Sequence, residues 1–249
     1  MADTGIVHSK ILTTFPDLIH GVSTRHGGVS PEPLGMNLSY SVGDAPENVK
    51  ENRRIFLHSL GLKEEEVVFQ RQIHGTKIRT VTMPGIHDAC DALVTDTQGI
   101  FLAVSLADCL PILLYDPKRK AVAGIHAGWR GSKAEIVRLA IERMQSEFHS
   151  ELKNLIGYIG PGAGVCCYEV GEDVAQQFPE NYLSAGIKSK PRLDLKGFNK
   201  SLMISAGMDE SQIEISEYCT ICNESLFHSF RRDKERSGRM LAVIGMKKG

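Results

Sequence analysis

Apolar residues in this chain fall into short aliphatic runs broken by glycine, proline and polar clusters. Runs of that length, rich in Val, Ile and Leu, read as buried strands. They lie at residues 6–14, 19–23, Val67–Gln70, 77–82, Phe101–Leu106, 110–115, 121–125, 155–159, 213–216 and 240–245. A helical stripe replaces the short runs at 132–150, where Ile136, Leu139, Ala140, Met144 and Phe148 recur on one face. Residues 45–60 open on Pro46 and Glu47 and stop before Gly61, which are helix start and stop signals. Further helices are expected at 172–178 and 195–206. Residues 24–39 hold no period and read as a polar loop. No linker, repeat or low-complexity tract divides residues 1–249, so one domain is expected.

Composition narrows the function mainly by exclusion. A net charge of -1 gives no electrostatic case for nucleic acid or an anionic membrane surface as partner. No apolar run reaches the roughly 18–20 residues that span a bilayer. The first residues lack a basic segment followed by a continuous apolar core, so no signal peptide is expected. Six cysteines in such a chain fit a reducing cytoplasm better than a disulfide framework, and a cytoplasmic protein is the expectation. The glycine-rich run at 160–164 lacks a following Gly-Lys-Ser/Thr and reads as a plain turn. Cys219 and Cys222 have a metal-like spacing, but no second pair lies at zinc-ribbon distance, so they read as structural or incidental.

Chemistry concentrates between residues 101 and 132. Cys109 follows the first apolar run there, and His126 follows the third, just before a glycine-bracketed turn that carries Arg130 into a helix. Thiolate and imidazole are common zinc ligands, and catalytic zinc keeps three protein ligands and an open position. His74, on the loop after Val67–Gln70, is the candidate third ligand. Zinc so held lowers the pKa of bound water to about 7. Two other readings stand beside this one. Cys109 can act as a nucleophile activated by His126, as in cysteine hydrolases, or zinc can be a staple in a binding module.

The assembled motifs resemble the bacterial laccase-domain family, also called multicopper polyphenol oxidoreductase-like and peptidoglycan-editing-factor proteins. They are STRHGGVS (23–30), Asn37-Leu38-Ser39, QIHG (72–75), DALVTD (91–96), LADCLPILLYD (106–116), HAGWRG (126–131), CYEVG (167–171), and YCTICN, ESLFHSFRRD and SGR between 218 and 239. The resemblance spans nearly the whole chain. It implies an α+β (mixed α/β) fold, with central mixed β-sheets flanked by outer helices. It also implies a zinc-dependent purine nucleoside phosphorylase. Adenosine, inosine, guanosine or methylthioadenosine would react with phosphate to give base and ribose 1-phosphate, and adenosine would also be deaminated. The family's zinc ligands match His74, Cys109 and His126.

Within that expectation, Arg25 and Arg130 are candidates for phosphate or ribose, because a guanidinium matches phosphate in bidentate fashion. Asn37 and Gln72 are candidates for hydrogen bonds to sugar or base. Peptidoglycan-precursor editing and copper polyphenol oxidation are also attributed to members. A multicopper site, however, needs many histidines, usually in His-x-His pairs, and none of the nine here forms one. A single copper at the same three ligands remains chemically open.

Overall fold

The long strands carry apolar side chains at odd and even positions alike, so both faces of each sheet must be covered. In β7 (Phe101–Leu106), Leu102, Val104 and Leu106 join one buried cluster, while Phe101 and Ala103 join another. β14 (Met240–Met246) divides the same way, with Ala242 and Ile244 on one face and Leu241 and Val243 on the other. The computed structural model describes residues 5–185 and 190–249 and shows what covers these faces.

Two six-stranded mixed sheets lie face to face. The first runs β1 (Ile6–Val7), β2 (Leu18–Ser23), β14, β7, β3 (Val67–Gln70), β5 (Gly85–His87). The second runs β13 (Ile213–Ile215), β10 (Ile156–Ile159), β8 (Leu110–Asp116), β9 (Ala121–Ala127), β6 (Ala92–Thr95), β4 (Ile78–Thr80). Between the sheets sit Val22, Leu102, Val104, Leu113, Val122 and Ile244, among others. Phe56 and Leu57 of α1 (Pro46–Ser59) cover the outside of the first sheet. α3 (Ile136–Phe148) and α5 (Leu195–Ser205) cover the outside of the second, with α2 (Trp129–Lys133) and α4 (Glu172–Ala175) beside them. Each fully buried Leu, Val or Phe contributes roughly 1.5–3 kcal/mol, so these layers supply the main driving force. A two-stranded ribbon, β11 (Leu183–Ser184) and β12 (Arg192–Leu193), adds to the helical side. This is the mixed α/β arrangement that the family resemblance implied, with helices outside central sheets.

Local polar contacts account for two of the departures from the expected elements. Residues 6–14 form a strand only at Ile6–Val7, because Ser9 then captures the amides of Leu12 and Thr13 and turns the chain into a single 3-10 turn. The helix expected over 132–150 is two helices, α2 and α3, separated by Glu135 in a left-handed conformation (φ 60°). α4 stops at Ala175, short of the expected 178. The polar stretch after Ser229 contains a short helix, α6 (Phe230–Asp233), capped by the Ser229 hydroxyl, which accepts from the Arg232 amide. Among the described residues no helix is long and apolar enough to cross a membrane.

The β8–β9 hairpin positions the candidate chemistry. Its antiparallel register pairs Leu110 with Ala127 and Pro111 with His126, so Cys109 and His126 meet at one end of the sandwich. His126 shares strand phase with Val122 and Gly124, and therefore faces the other sheet. The sheets approach closely at Gly124, where a Cβ would stand 3.2 Å from Leu102 Cβ and 3.2 Å from Val104 Cγ2. Gly124→Val should overpack this layer and cost about 1–3 kcal/mol of stability. Urea denaturation would show a lower midpoint; an unchanged midpoint would refute the close approach.

Candidate metal centre

Asp91 directly precedes β6 and is fully buried. Its carboxylate accepts the backbone N–H of Ile73 (3.2 Å), His74 (2.9 Å) and Gly75 (2.8 Å). His74 makes this possible by adopting φ 59°, which turns successive amides toward one point as an anion-binding nest. A non-glycine residue in that region costs about 1–3 kcal/mol, here offset by charge-assisted hydrogen bonds. The same carboxylate lies 2.9 Å from His126 Nδ1. An ionised carboxylate only accepts, so Nδ1 donates to it and Nε2 is the nitrogen left to face the opposite side. Burial pushes the Asp91 carboxyl up, but His126 and the amides of Gly75 and His74 hold it below the usual carboxylate range.

Cys109 enters from a strained turn. Asp108 before it has φ 93° and is held by the Thr220 hydroxyl (2.7 Å) and the Arg231 amide (2.6 Å). The candidate ligand atoms of His74, Cys109 and His126 all lie within 4.8 Å of one another. The two imidazoles meet edge to face, with centroids 4.8 Å apart. Gly128 closes the far side, because a Cβ there would be 3.0 Å from Cys109 Sγ and 3.3 Å from His74 Cδ2. Burial pushes the Cys109 thiol up, yet the charge and hydrogen bonds of His126 and His74 bring it down to about 6. Burial likewise lowers His126, but the Cys109 thiolate and Asp91 raise it to about 9.

One thiolate and two imidazoles at this spacing fit a transition metal with three protein ligands and one open position. Asp91 then stands where metal-ligating histidines commonly find their supporting carboxylate. His126 is buried and His74 is exposed, so the open side faces outward.

That side is a cavity of about 980 Å³, lined by all three candidate ligands. Small-molecule sites usually measure about 300–1,000 Å³. Tyr168 and Phe230 provide aromatic wall, and Arg231, Lys234 and Arg239 provide positive charge. The Arg231 guanidinium lies 5.3 Å over the Tyr168 ring and makes no ion pair among the described residues. Arg239 is 5.3 Å over Phe230 and donates to the carbonyls of Ser237 and Gly238.

The other residues expected at the site fall differently. Gln72 lines the cavity, but its amide bridges the backbone of Ser105, donating at 2.9 Å and accepting at 2.8 Å. Asn37 is fully buried and binds Ser39, Asp44 and the Arg239 amide. Arg25 is held by Glu32 and the carbonyls of Pro33 and Glu224. Arg130 is exposed, with its guanidinium 4.5 Å over the Trp129 ring. None of Arg25, Asn37 and Arg130 lines the cavity. Nearness in sequence to His126 suggested Arg130, but α2 carries it to solvent. Sequence patterns give no role to Asp91, Tyr168, Arg231 or Arg239, although they lie in the motifs DALVTD, CYEVG, ESLFHSFRRD and SGR. The Cys219–Cys222 pair also changes character, since Cys166 and Cys167 lie against it.

Comparisons with known proteins agree on one family. Residues 19–247 match the family described as multi-copper polyphenol oxidoreductase laccase. The purine nucleoside phosphorylase YlmD of Geobacillus stearothermophilus is 36% identical, covering 93% of this chain and 91% of its own. A purine nucleoside phosphorylase of Deinococcus radiodurans is 37% identical, covering 91% and 88%. The crystal structure of YlmD from Geobacillus stearothermophilus aligns with a TM-score of 0.92 at 32% identity, covering 100% of this chain and 98% of that one.

Asp91→Asn tests the organisation of the site. Losing the charge while keeping the shape should weaken the binding of an added transition-metal ion by about 10–100-fold. Competition with a chromophoric chelator measures this, and wild-type affinity in a folded variant would show that Asp91 does not support the ligands.

Proposed function

The chain belongs to the multi-copper polyphenol oxidoreductase laccase family, and on that premise we propose that it is a purine nucleoside phosphorylase acting at His74, Cys109 and His126. The observation that carries the reading is the Cys-His-His cluster, backed by Asp91 and open to a cavity with aromatic and cationic walls. Its substrates are purine nucleosides and inorganic phosphate. In phosphorolysis a phosphate oxygen attacks the anomeric carbon, the bond to the purine nitrogen breaks, and the base leaves with the electron pair and takes up a proton. Such a site must hold an anion and stabilise the charge that develops. Arg231, Lys234 and Arg239 suit the phosphate, and Tyr168 and Phe230 suit the flat purine. Asn37 acts indirectly by fixing the Arg239 backbone, and Gln72 by fixing Ser105 at the cavity floor.

His74, Cys109 and His126 would hold a single zinc ion, whose contribution when bound is Lewis-acid polarisation of an oxygen beside it. The donor set favours zinc over a multicopper centre, since no other histidine joins the cluster among the described residues. A blue-copper site would add a weak axial methionine, and no methionine lines the cavity. Copper can still displace zinc at the same ligands. Deamination of adenosine belongs to the same proposal: water displaces the amino group at C6 and ammonia leaves.

One observation favours a second reading, a hydrolase with Cys109 as nucleophile and His126 as base, acting for instance on a peptidoglycan precursor. It is the Cys109 sulfur standing within 4.8 Å of a His126 ring nitrogen, an arrangement that also holds the thiol below its ordinary value. Alkylation separates the two, because a metal-ligating Cys109 is protected while zinc is bound.

Zinc-loaded protein with inosine and phosphate should yield hypoxanthine and ribose 1-phosphate, and adenosine should yield adenine and inosine. Chromatographic separation of the products decides the matter. Cys109→Ala should lower zinc affinity and turnover together, each by on the order of 100-fold or more. Absence of any turnover in the zinc-loaded protein, or full activity in Cys109→Ala, would overturn the proposal.

A further inference from the structure

Four cysteines outside this centre are brought together by strand pairing. β10 and β13 are parallel neighbours, with Gly157 opposite Ile213 and Ile159 opposite Ile215. The segments that follow them therefore leave the sheet side by side. Cys166 and Cys167 come from the first, and Cys219 and Cys222 from the second. A bridge between Gly162 and Cys219 and the bond from the Thr220 amide to the Gly162 carbonyl (3.0 Å) hold the two segments in register.

The sulfurs of these four residues all lie within 4.8 Å of one another, and Cys166 Sγ is 3.8 Å from Cys222 Sγ. A disulfide would need about 2.05 Å. Four thiolates around a tetrahedral metal, each about 2.3 Å from it, stand about 3.8 Å apart. The surroundings also suit a compact anionic group. The Gly164 amide donates to Cys219 Sγ at 3.2 Å. A Cβ at Gly164 would stand 3.0 Å from Cys219 Cβ and 3.3 Å from Cys166 Sγ, so a side chain would crowd the cluster. Lys196 of α5 is buried, with its ammonium donating to the carbonyls of Ser216 (2.8 Å) and Tyr218 (2.7 Å), and it interacts electrostatically with Cys219, Cys166 and Cys222. A fixed cation offsets the net negative charge of a divalent metal with four thiolates. Cys166 and Cys222 are exposed, which gives an ion access from solvent.

We propose that Cys166, Cys167, Cys219 and Cys222 form a second, structural metal site that binds one Zn2+ as a tetrathiolate. All four positions are filled by protein, as in structural zinc sites. The ion braces one wall of the cavity. Tyr168 follows Cys167 directly and lines that wall, while Thr220 follows Cys219 and anchors Asp108. This assignment stands apart from the phosphorolysis reading and survives its failure.

Cobalt(II) is the probe, since tetrahedral tetrathiolate cobalt gives intense thiolate-to-metal charge-transfer and d–d absorption. Reduced, metal-free full-length chain carrying Cys109→Ala is titrated with cobalt, so that only the four-cysteine site can give that signature. One equivalent should bind with the tetrathiolate spectrum, and zinc should displace it. Adding Cys166→Ser and Cys222→Ser, both at exposed positions, should abolish the bands while far-ultraviolet circular dichroism is unchanged. The difference between wild type and Cys166→Ser/Cys222→Ser supplies the same readout if Cys109→Ala fails to fold. Metal analysis of the native protein should show one more zinc per chain in wild type than in the double variant. The proposal is overturned if the bands are missing from folded protein or persist in the double variant. It is equally overturned if thiol counting finds a native disulfide among the four, or if iron or copper replaces zinc at that stoichiometry.

Discussion

The carboxylate of Asp91 is buried with no exposure to solvent, and a charge so placed persists only with a full set of donors. It recruits them from two places far apart in the chain: the amides of residues 73–75 and the Nδ1 of His126. Satisfying that one group decides where His74 stands, which His126 nitrogen binds the carboxylate and which faces Cys109. Removing one partner of a buried ion pair typically costs about 3–5 kcal/mol, so position and stability are coupled here. Strain at His74 persists because the carboxylate holds it in place.

The sandwich serves this arrangement by bringing chain ends together at one rim. Cys109 and His126 meet through the β8–β9 register, and His74 comes from the loop after β3 in the opposite sheet. Gly124 lets the sheets approach closely just before His126. The cavity then opens between the ends of both sheets, and α6 closes one side by donating the Arg231 amide to Asp108. Asp108 thus links Cys109 to the segment 216–222 through Thr220, and the four-cysteine cluster sits directly behind that link.

Much of this was legible from the chain alone. β3 and β7 lie where short, largely apolar runs place them, because buried central strands leave a strong signal. His74, Cys109 and His126 are legible as chemistry because each sits at or just beyond the end of an apolar run, and the resemblance to a known family joins them. What escaped depends on contacts between distant segments. Nothing near Asp91 in the chain announces that it will face residues 73–75, and nothing near Cys219 announces Cys166. The parallel pairing of β10 with β13 makes that second neighbourhood, and local patterns do not say which strands pair. Arg25 and Arg130 stand away from the cavity for the same reason. Their motifs are prominent, but Arg25 braces loops and Arg130 faces solvent, while Arg231 and Arg239 reach the cavity from much later in the chain.

On the reading proposed above, Asp91 arranges His74, Cys109 and His126 into a centre for one metal ion. Crystals of the zinc-loaded protein, measured on both sides of the zinc absorption edge, test it most directly. An anomalous peak is expected, bonded to Cys109 Sγ and to a nitrogen of each histidine, with His126 Nδ1 still on Asp91. A map with no peak among those three side chains, or with His126 turned so that Nδ1 faces Cys109, would contradict it.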